Sequence, residues 1–378
     1  MMAKGSADAV TGRSRRRLAW AVPVVVAAVV AAGVAISTAG TSSASPTLPH
    51  RSVAQLLIAV QKSSVTALTG EVAEAMNLGV PSLPDGRSSA SLSWQSFLTG
   101  SHRARVWADG ADKQRIALIG ELSEADVIHN GSDVWTYTSS SNTVSHTTLP
   151  PSRKVAERPT AADLTPAAAA RRALDAITPS TSVTVDSARI VAGRPAYTLV
   201  LRPRDRRSTV REVRIAIDAT KFVPLQVQVF GRGSAAAFET GFSKISFVTP
   251  PSSIFTFRLP AGANVTQDPF GLQSNGRHDR HVTTPGSGSA APHADAHLAP
   301  TVIGSGWTSV VELSGAALGS GAGIGGGILD QLTSKVGTSG TRLLHTTLIN
   351  AVFLSDGRAF VGAVSPTLLE HIAATAPR

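Results

Sequence analysis

The chain has no cysteine in its 378 residues. That excludes disulfides, cysteine-bound zinc, iron–sulfur clusters and a lipid-modified N-terminal cysteine. Whatever fold forms must be held by packing. Acids are scarce: 25 Asp and Glu stand against 35 Lys and Arg, a formal charge of +10. No paired carboxylates mark an acid–base site. No G-x-S-x-G elbow occurs, and no spacing singles out a Ser-His-Asp triad. The reading is therefore non-enzymatic, with no catalytic residues. Aromatics make up only 5% of the chain. Arginines are spread over many expected strands, and no RNP-like or helix-turn-helix pattern is present. Nucleic acid is not the expected partner. A basic exterior suits an anionic membrane instead.

The Gly-rich stretch Gly319–Gly327 is not followed by Lys-Ser or Lys-Thr, so it is no Walker loop. It also lacks the preceding strand and later acid of a dinucleotide fingerprint. His278, His281, His293 and His297 lie in Pro/Ala/Gly-rich chain that holds no helix, so no metal site is assigned. No cofactor is expected.

What is present begins at the N-terminus. Residues 1–17 form a basic arm with Arg13, Arg15, Arg16 and Arg17. Residues 18–37, LAWAVPVVVAAVVAAGVAIS, carry no charge. A run of about 20 apolar residues is long enough to span a bilayer. The arginines would stay cytoplasmic, which places the bulk of the chain outside. The segment is either a retained single-pass anchor in the cell membrane or a signal cut after Ala44, which would release the rest. Residues 38–49 read as a linker.

From residue 50 the pattern changes. Val53, Leu56, Leu57 and Val60 recur at helical spacing behind Ser52, giving an amphipathic helix over 52–68. A second helix follows Thr165, with Pro166 at its first position and Pro179 after its end. Around these lie about ten strands in tight-turned succession, the signature of an antiparallel meander or incomplete barrel. The last is expected in IFTFRLPAGANV. Residues 268–300 are too polar to build a core and read as a disordered linker. A small α/β module of unassigned role fills 301–378. It is expected to hold a strand in GWTSVVEL, a hairpin turning at Asp356-Gly357, and a terminal helix. With four basic and four acidic residues it is formally neutral.

The hairpin VREVRIAIDATKFVPLQVQVFG, residues 210–231, shows the alternation most clearly. Val213, Ile215 and Ile217 point one way and Arg214 and Asp218 the other. Leu225, Val227 and Val229 likewise oppose Gln226 and Gln228. Such a face either fills a packed core or lines a cavity that needs a lid or a lipid. Both remain open on this pattern.

A set of motifs decides what the pattern resembles. A strand ends at Asp218, Pro224 opens the next, and Phe255, Phe257, Pro260 and Gly262 follow. With the early helix, LTG and DKQRIAL…DVIHNGSDVWTY, residues 50–267 resemble LolA-like lipoprotein carriers and their RseB/MucB-type relatives. The resemblance implies a mainly β fold with α-helices: an incomplete antiparallel barrel with helices over its concave, apolar face. It implies binding of a lipid or acylated lipoprotein. The alternative is an envelope-stress sensor that binds an anti-sigma factor or another membrane protein. The expected lining is Trp107, Trp135, Tyr137, Leu199, Ile215 and Val227. Arg103 and Arg105 lie where the family places an arginine linked to lid closure, and Leu56 and Leu57 would belong to the lid helix.

Overall fold

A computed structural model of the protein describes residues 46–79, 100–120, 123–148, 165–175, 179–266, 300–313, 332–337 and 340–377. The apolar segment 18–37, residues 268–299 of the linker and the Gly-rich stretch Gly319–Gly327 lie outside the described residues. Among the described residues, no helix is long and apolar enough to cross a membrane.

Two antiparallel meanders make the large sheet. The first runs β1 (Ala67–Met76), β2 (Gly100–Asp109), β3 (Lys113–Ile119), β4 (Glu124–Asn130), β5 (Asp133–Thr138) and β6 (Thr143–Thr148). The second runs β7 (Thr181–Val191), β8 (Arg194–Pro203), β9 (Glu212–Asp218), β10 (Pro224–Phe230) and β11 (Ala236–Ser246). Pairing of β1 with β11 fuses them, and β12 (Asn264–Thr266) adds a parallel edge beside β6. The twelve strands form an open, curved sheet rather than a closed barrel. This is the incomplete antiparallel architecture that the strand pattern implies.

Helix α1 (Val53–Gln61) starts at a capping box. The Ser52 hydroxyl accepts from the Gln55 backbone N–H, and the Gln55 side chain accepts from the Ser52 N–H. It ends at Gln61, earlier than its apolar spacing suggests, because β1 claims Ala67 onward. Helix α2 (Pro166–Asp175) has Thr165 Oγ1 accepting from the Ala168 N–H at 3.2 Å. Both helices lie on one face of β7–β11. Val53, Leu57, Val60, Ala170 and Leu174 pack there against Leu199, Leu201, Val213, Ile215, Ile217, Val227 and Val229.

The segment IFTFRLPAGANV differs from its expected strand. Ser252–Phe255 is a 3₁₀ turn, and only Asn264–Thr266 pairs. The Phe-x-Phe alternation serves packing instead. Phe255 is 1% exposed, and the Phe257 ring stacks on Trp135 with centroids 4.7 Å apart.

A second sheet has the order β13 (Thr301–Ile303), β14 (Val310–Leu313), β18 (Ala359–Gly362), β17 (Asn350–Phe353), β16 (Thr341–Leu344), β15 (Ser334–Val336). Part of GWTSVVEL is a 3₁₀ turn, Gly306–Thr308, before β14 begins. Helix α3 (Pro366–Thr375) packs on the sheet through Leu369 and Ala373. The second sheet does not stand apart. Trp307, Leu348 and Ala363 enter the same apolar cluster as Leu199 and Ile215. Backbone bonds join the two sheets, from Thr209 N–H to the Ala363 carbonyl and from Thr347 N–H to the Leu78 carbonyl, both 2.9 Å. The Trp307 indole N–H donates to Thr181 Oγ1 at 2.8 Å.

Candidate functional site

Strand side chains alternate between faces, so the ladder register assigns each residue a side. Reading across neighbouring strands, Leu199, Ile215, Val227, Thr240, Glu74 and His102 are successive partners. They form one lateral row on the face that carries α1 and α2. Three apolar residues pass into three polar ones along this row.

The same register separates charge by face. From β1 to β11, described strand residues on the helix-covered face include no Lys or Arg, and Glu74 is the one acid among them. The opposite face carries Arg103, Arg105, Arg115, Arg194, Arg202 and Arg214. Several are paired there. Arg115 Nη2 meets Asp126 Oδ2 at 2.8 Å, Arg194 pairs with Asp218, and Arg202 and Arg214 each reach Glu212 at 2.8 Å.

The register divides the expected lining. Leu199, Ile215 and Val227 come together on the helix-covered face and are at most 2% exposed. Their covering is the chain itself: α1, α2, Trp307 and Leu348. Trp107, Trp135 and Tyr137 take the other face, which corrects the expectation of a single six-residue lining. Trp107 stands opposite Arg115 in the ladder, and the guanidinium lies 5.5 Å from its ring. Trp135 stacks between His146, at 3.9 Å, and Phe257. Tyr137 pairs with Asp126 and Val144. The physical reason is that the segment 252–266 packs on this outer side of β3–β6, so both faces there demand apolar side chains.

Arg103 and Arg105 are exposed on the face away from the helices, which separates them from α1. Leu56 and Leu57 do sit on α1. Leu56 is fully buried and Leu57 packs on the cluster around Ile215.

The polar end of the row was not anticipated. Glu74 Oε1 and Thr240 Oγ1 are buried and have no hydrogen-bond partner. Burial alone pushes the Glu74 carboxyl up to about 8, so it is largely protonated at neutral pH. Burial also lowers His102, favouring its neutral form. The row thus ends in an uncharged carboxyl, a hydroxyl and an imidazole. All can exchange hydrogen bonds, and none brings a fixed charge. The signal was present in the sequence: Gly70, Val72, Glu74 and Met76 occupy the apolar phase of β1, while Glu71, Ala73 and Ala75 occupy the other.

Around this polar end lies a second apolar cluster, including Val72, Ala104, Val106, Ile116 and Phe242. Phe242 lies over Gly70, where an added Cβ would stand 2.5 Å from the ring. Farther along the same face Leu118, Val127 and Val134 are only half-buried.

No protein-family model and no curated protein matches the sequence. Solved structures do show likeness. The chain resembles LolA superfamily proteins and MucB in fold. The MucA/MucB complex of Pseudomonas aeruginosa aligns at a TM-score of 0.41 and 13% identity, over 84% of this chain and 95% of that one. A LolA superfamily protein from Nitrosomonas europaea aligns at 0.23 and 13%, over 55% and 99%. A conserved protein of Thermus thermophilus aligns at 0.34 and 13%, over 57% and 98%. These likenesses concern the fold alone.

Proposed function

We propose that this chain is a non-enzymatic extracytoplasmic binding protein that holds an acyl chain, of a lipid or an acylated lipoprotein, against the helix-covered face of its large sheet. The carrying observation is the separation of charge by face. On one side the described strand residues of β1–β11 include no Lys or Arg and one acid, Glu74, whose Oε1 is buried, and α1 and α2 cover the β7–β11 half of that side. Leu118, Val127 and Val134 extend the apolar surface beyond them. Each methylene buried there contributes about 0.8 kcal/mol, enough over a chain of ordinary length to hold it out of water. The basic arm and apolar segment at residues 13–37 agree with export, either as a membrane anchor or as a signal cut after Ala44.

A second reading is a protein partner such as an anti-sigma factor or another envelope protein. Val248, Leu259 and Val265, 71%, 58% and 56% exposed, favour it, since they cluster in sequence on the outer segment 247–266. One experiment separates the two. The full chain is expressed in a host that exports it and purified in non-ionic detergent. Native mass spectrometry then reads the masses retained after the micelle is stripped. The acyl reading expects about one lipid or acylated peptide per chain. A bare chain that copurifies with one protein at fixed stoichiometry favours the second reading.

A further inference from the structure

Glu74 Oε1 and Thr240 Oγ1 are buried without a hydrogen bond that accounts for them, and His102 stands beside Glu74 in the ladder. A buried carboxyl oxygen and a buried hydroxyl without partners each cost stability, and an apolar pair of the same shape would not. Both lie between the apolar row Leu199–Ile215–Val227 and Val72, Ala104 and Val106, which share the face in the ladder register. On the acyl-binding reading, a tail lying along the apolar clusters brings its polar head to this junction.

The geometry points to Glu74, Thr240 and His102 as a head-group site that accepts a neutral acyl ester head and discriminates against a phosphate. The inference rests on the acyl-binding reading and deepens it. A neutral carboxyl offers an O–H donor and a carbonyl acceptor, and Thr240 offers one of each. Ester carbonyls and a glycerol hydroxyl complement these groups. A phosphate brings negative charge to a face whose described strand residues include no Lys or Arg, beside a carboxyl that would itself have to stay protonated. In a low-dielectric site an uncompensated anion is costly.

The shared chemistry, a diacylglyceryl group, occurs in free diacylglycerol and on acylated peptides. Three probes with the same octanoyl tails are therefore used: dioctanoylglycerol, N-acetyl-S-(dioctanoylglyceryl)cysteine amide and dioctanoyl phosphatidate. Their equilibrium binding is measured on the full chain in non-ionic detergent. The expected result is that at least one neutral probe binds about tenfold or more tighter than the phosphatidate, a difference of about 1.4 kcal/mol. The tighter neutral probe identifies the source. In Glu74→Leu and in Thr240→Val the ratio should collapse towards one while octanoyl binding persists, and in Glu74→Gln it should be retained. Removing an unpartnered polar group leaves folding intact, so thermal melts of the Leu and Val variants should match or exceed the parent. Equal binding of neutral and phosphate probes overturns the head-group site and leaves the acyl-binding reading standing. So does a preference unchanged in folded Glu74→Leu. Failure of the parent protein to bind any probe overturns both.

Discussion

Glu74 and Thr240 stand directly opposite each other in the β1–β11 ladder, and neither Glu74 Oε1 nor Thr240 Oγ1 has a hydrogen-bond partner. Among the described strand residues the cations lie on one face, and the one acid on the other, Glu74, is kept largely protonated at neutral pH by burial. The carboxyl's raised value, about 8 against an ordinary 4.5, is a statement about stability.

Between the two values the unfolded chain has lost the Glu74 proton and the folded chain keeps it. Folding stability contributed by this group is therefore fully present below about pH 4.5 and is lost as pH rises through about 8. The slope reaches at most about 1.4 kcal/mol per pH unit. His102, lowered by burial, acts oppositely and only as pH falls through its ordinary 6.5. The clean window is pH 6.5–8. The parent's melting temperature should fall across it, and Glu74→Gln should flatten that fall. A parallel decline in both proteins would contradict the assignment.

Ile215 and Val227 are core residues of the sheet as it stands, 0% and 2% exposed. Ile215→Glu buries a charge against α1, α2 and Leu348 and should prevent stable folding. Ile215→Val should cost only about 1 kcal/mol. Urea unfolding curves check both.

Asp218 closes the β9–β10 turn. It is 1% exposed, pairs with Arg194, and accepts from the backbone N–H of Thr220 at 2.9 Å and of Lys221 at 2.6 Å. Burial pushes this carboxyl up, but the Arg194 and backbone bonds outweigh burial and leave it below 3.8. Its contribution is present above that value and lost as pH falls through the folded one. Asp218→Asn should cost about 3 kcal/mol near neutral pH and weaken the acid-unfolding dependence below pH 4.

Gly231 marks where the two sheets meet. A Cβ there would strike the Thr347 carbonyl oxygen, whereas at Gly233 nothing lies within 4 Å. Gly231→Ala should destabilise by about 1–3 kcal/mol, and Gly233→Ala should change little. Trp307→Ala should act like the former, since its ring joins the shared core and its N–H binds Thr181. Both sheets should unfold in a single calorimetric transition.

Period-two alternation made the hairpin at 210–231 legible. Its Val213, Ile215 and Ile217 face and its Arg214 and Asp218 face are those of the structure, because one side meets helices and the other carries the ion pairs of Arg194 with Asp218 and of Arg202 and Arg214 with Glu212. Alternation fails where both sides are covered. Trp135 and Tyr137 belong to a strand in the part of the sheet roofed on the outside by 252–266, and Trp107 lies under the Arg115 guanidinium, so strand alternation alone does not tell their phase. The outer segment alternates like a strand at Phe255 and Phe257, but these rings pack on Trp135 and the β3–β4 surface and join no ladder. Glu74 was readable in phase but not in environment, since only the β11 and β2 partners show that its neighbours are Thr240 and His102. The docking of residues 301–377 was not legible at all, because its bonds join positions more than 120 residues apart.

The most direct test of acyl binding is photolabelling in the cell. Cells exporting the full chain are fed a fatty acid that carries a diazirine and an alkyne, irradiated, and the chain is purified and digested. The account predicts adducts on peptides of the helix-covered face, around Val72–Met76, Ala104–Val106 and Ile116–Leu118, in addition to any on the apolar segment 18–37. Labelling confined to 18–37, or spread over the arginine-bearing face, would contradict it.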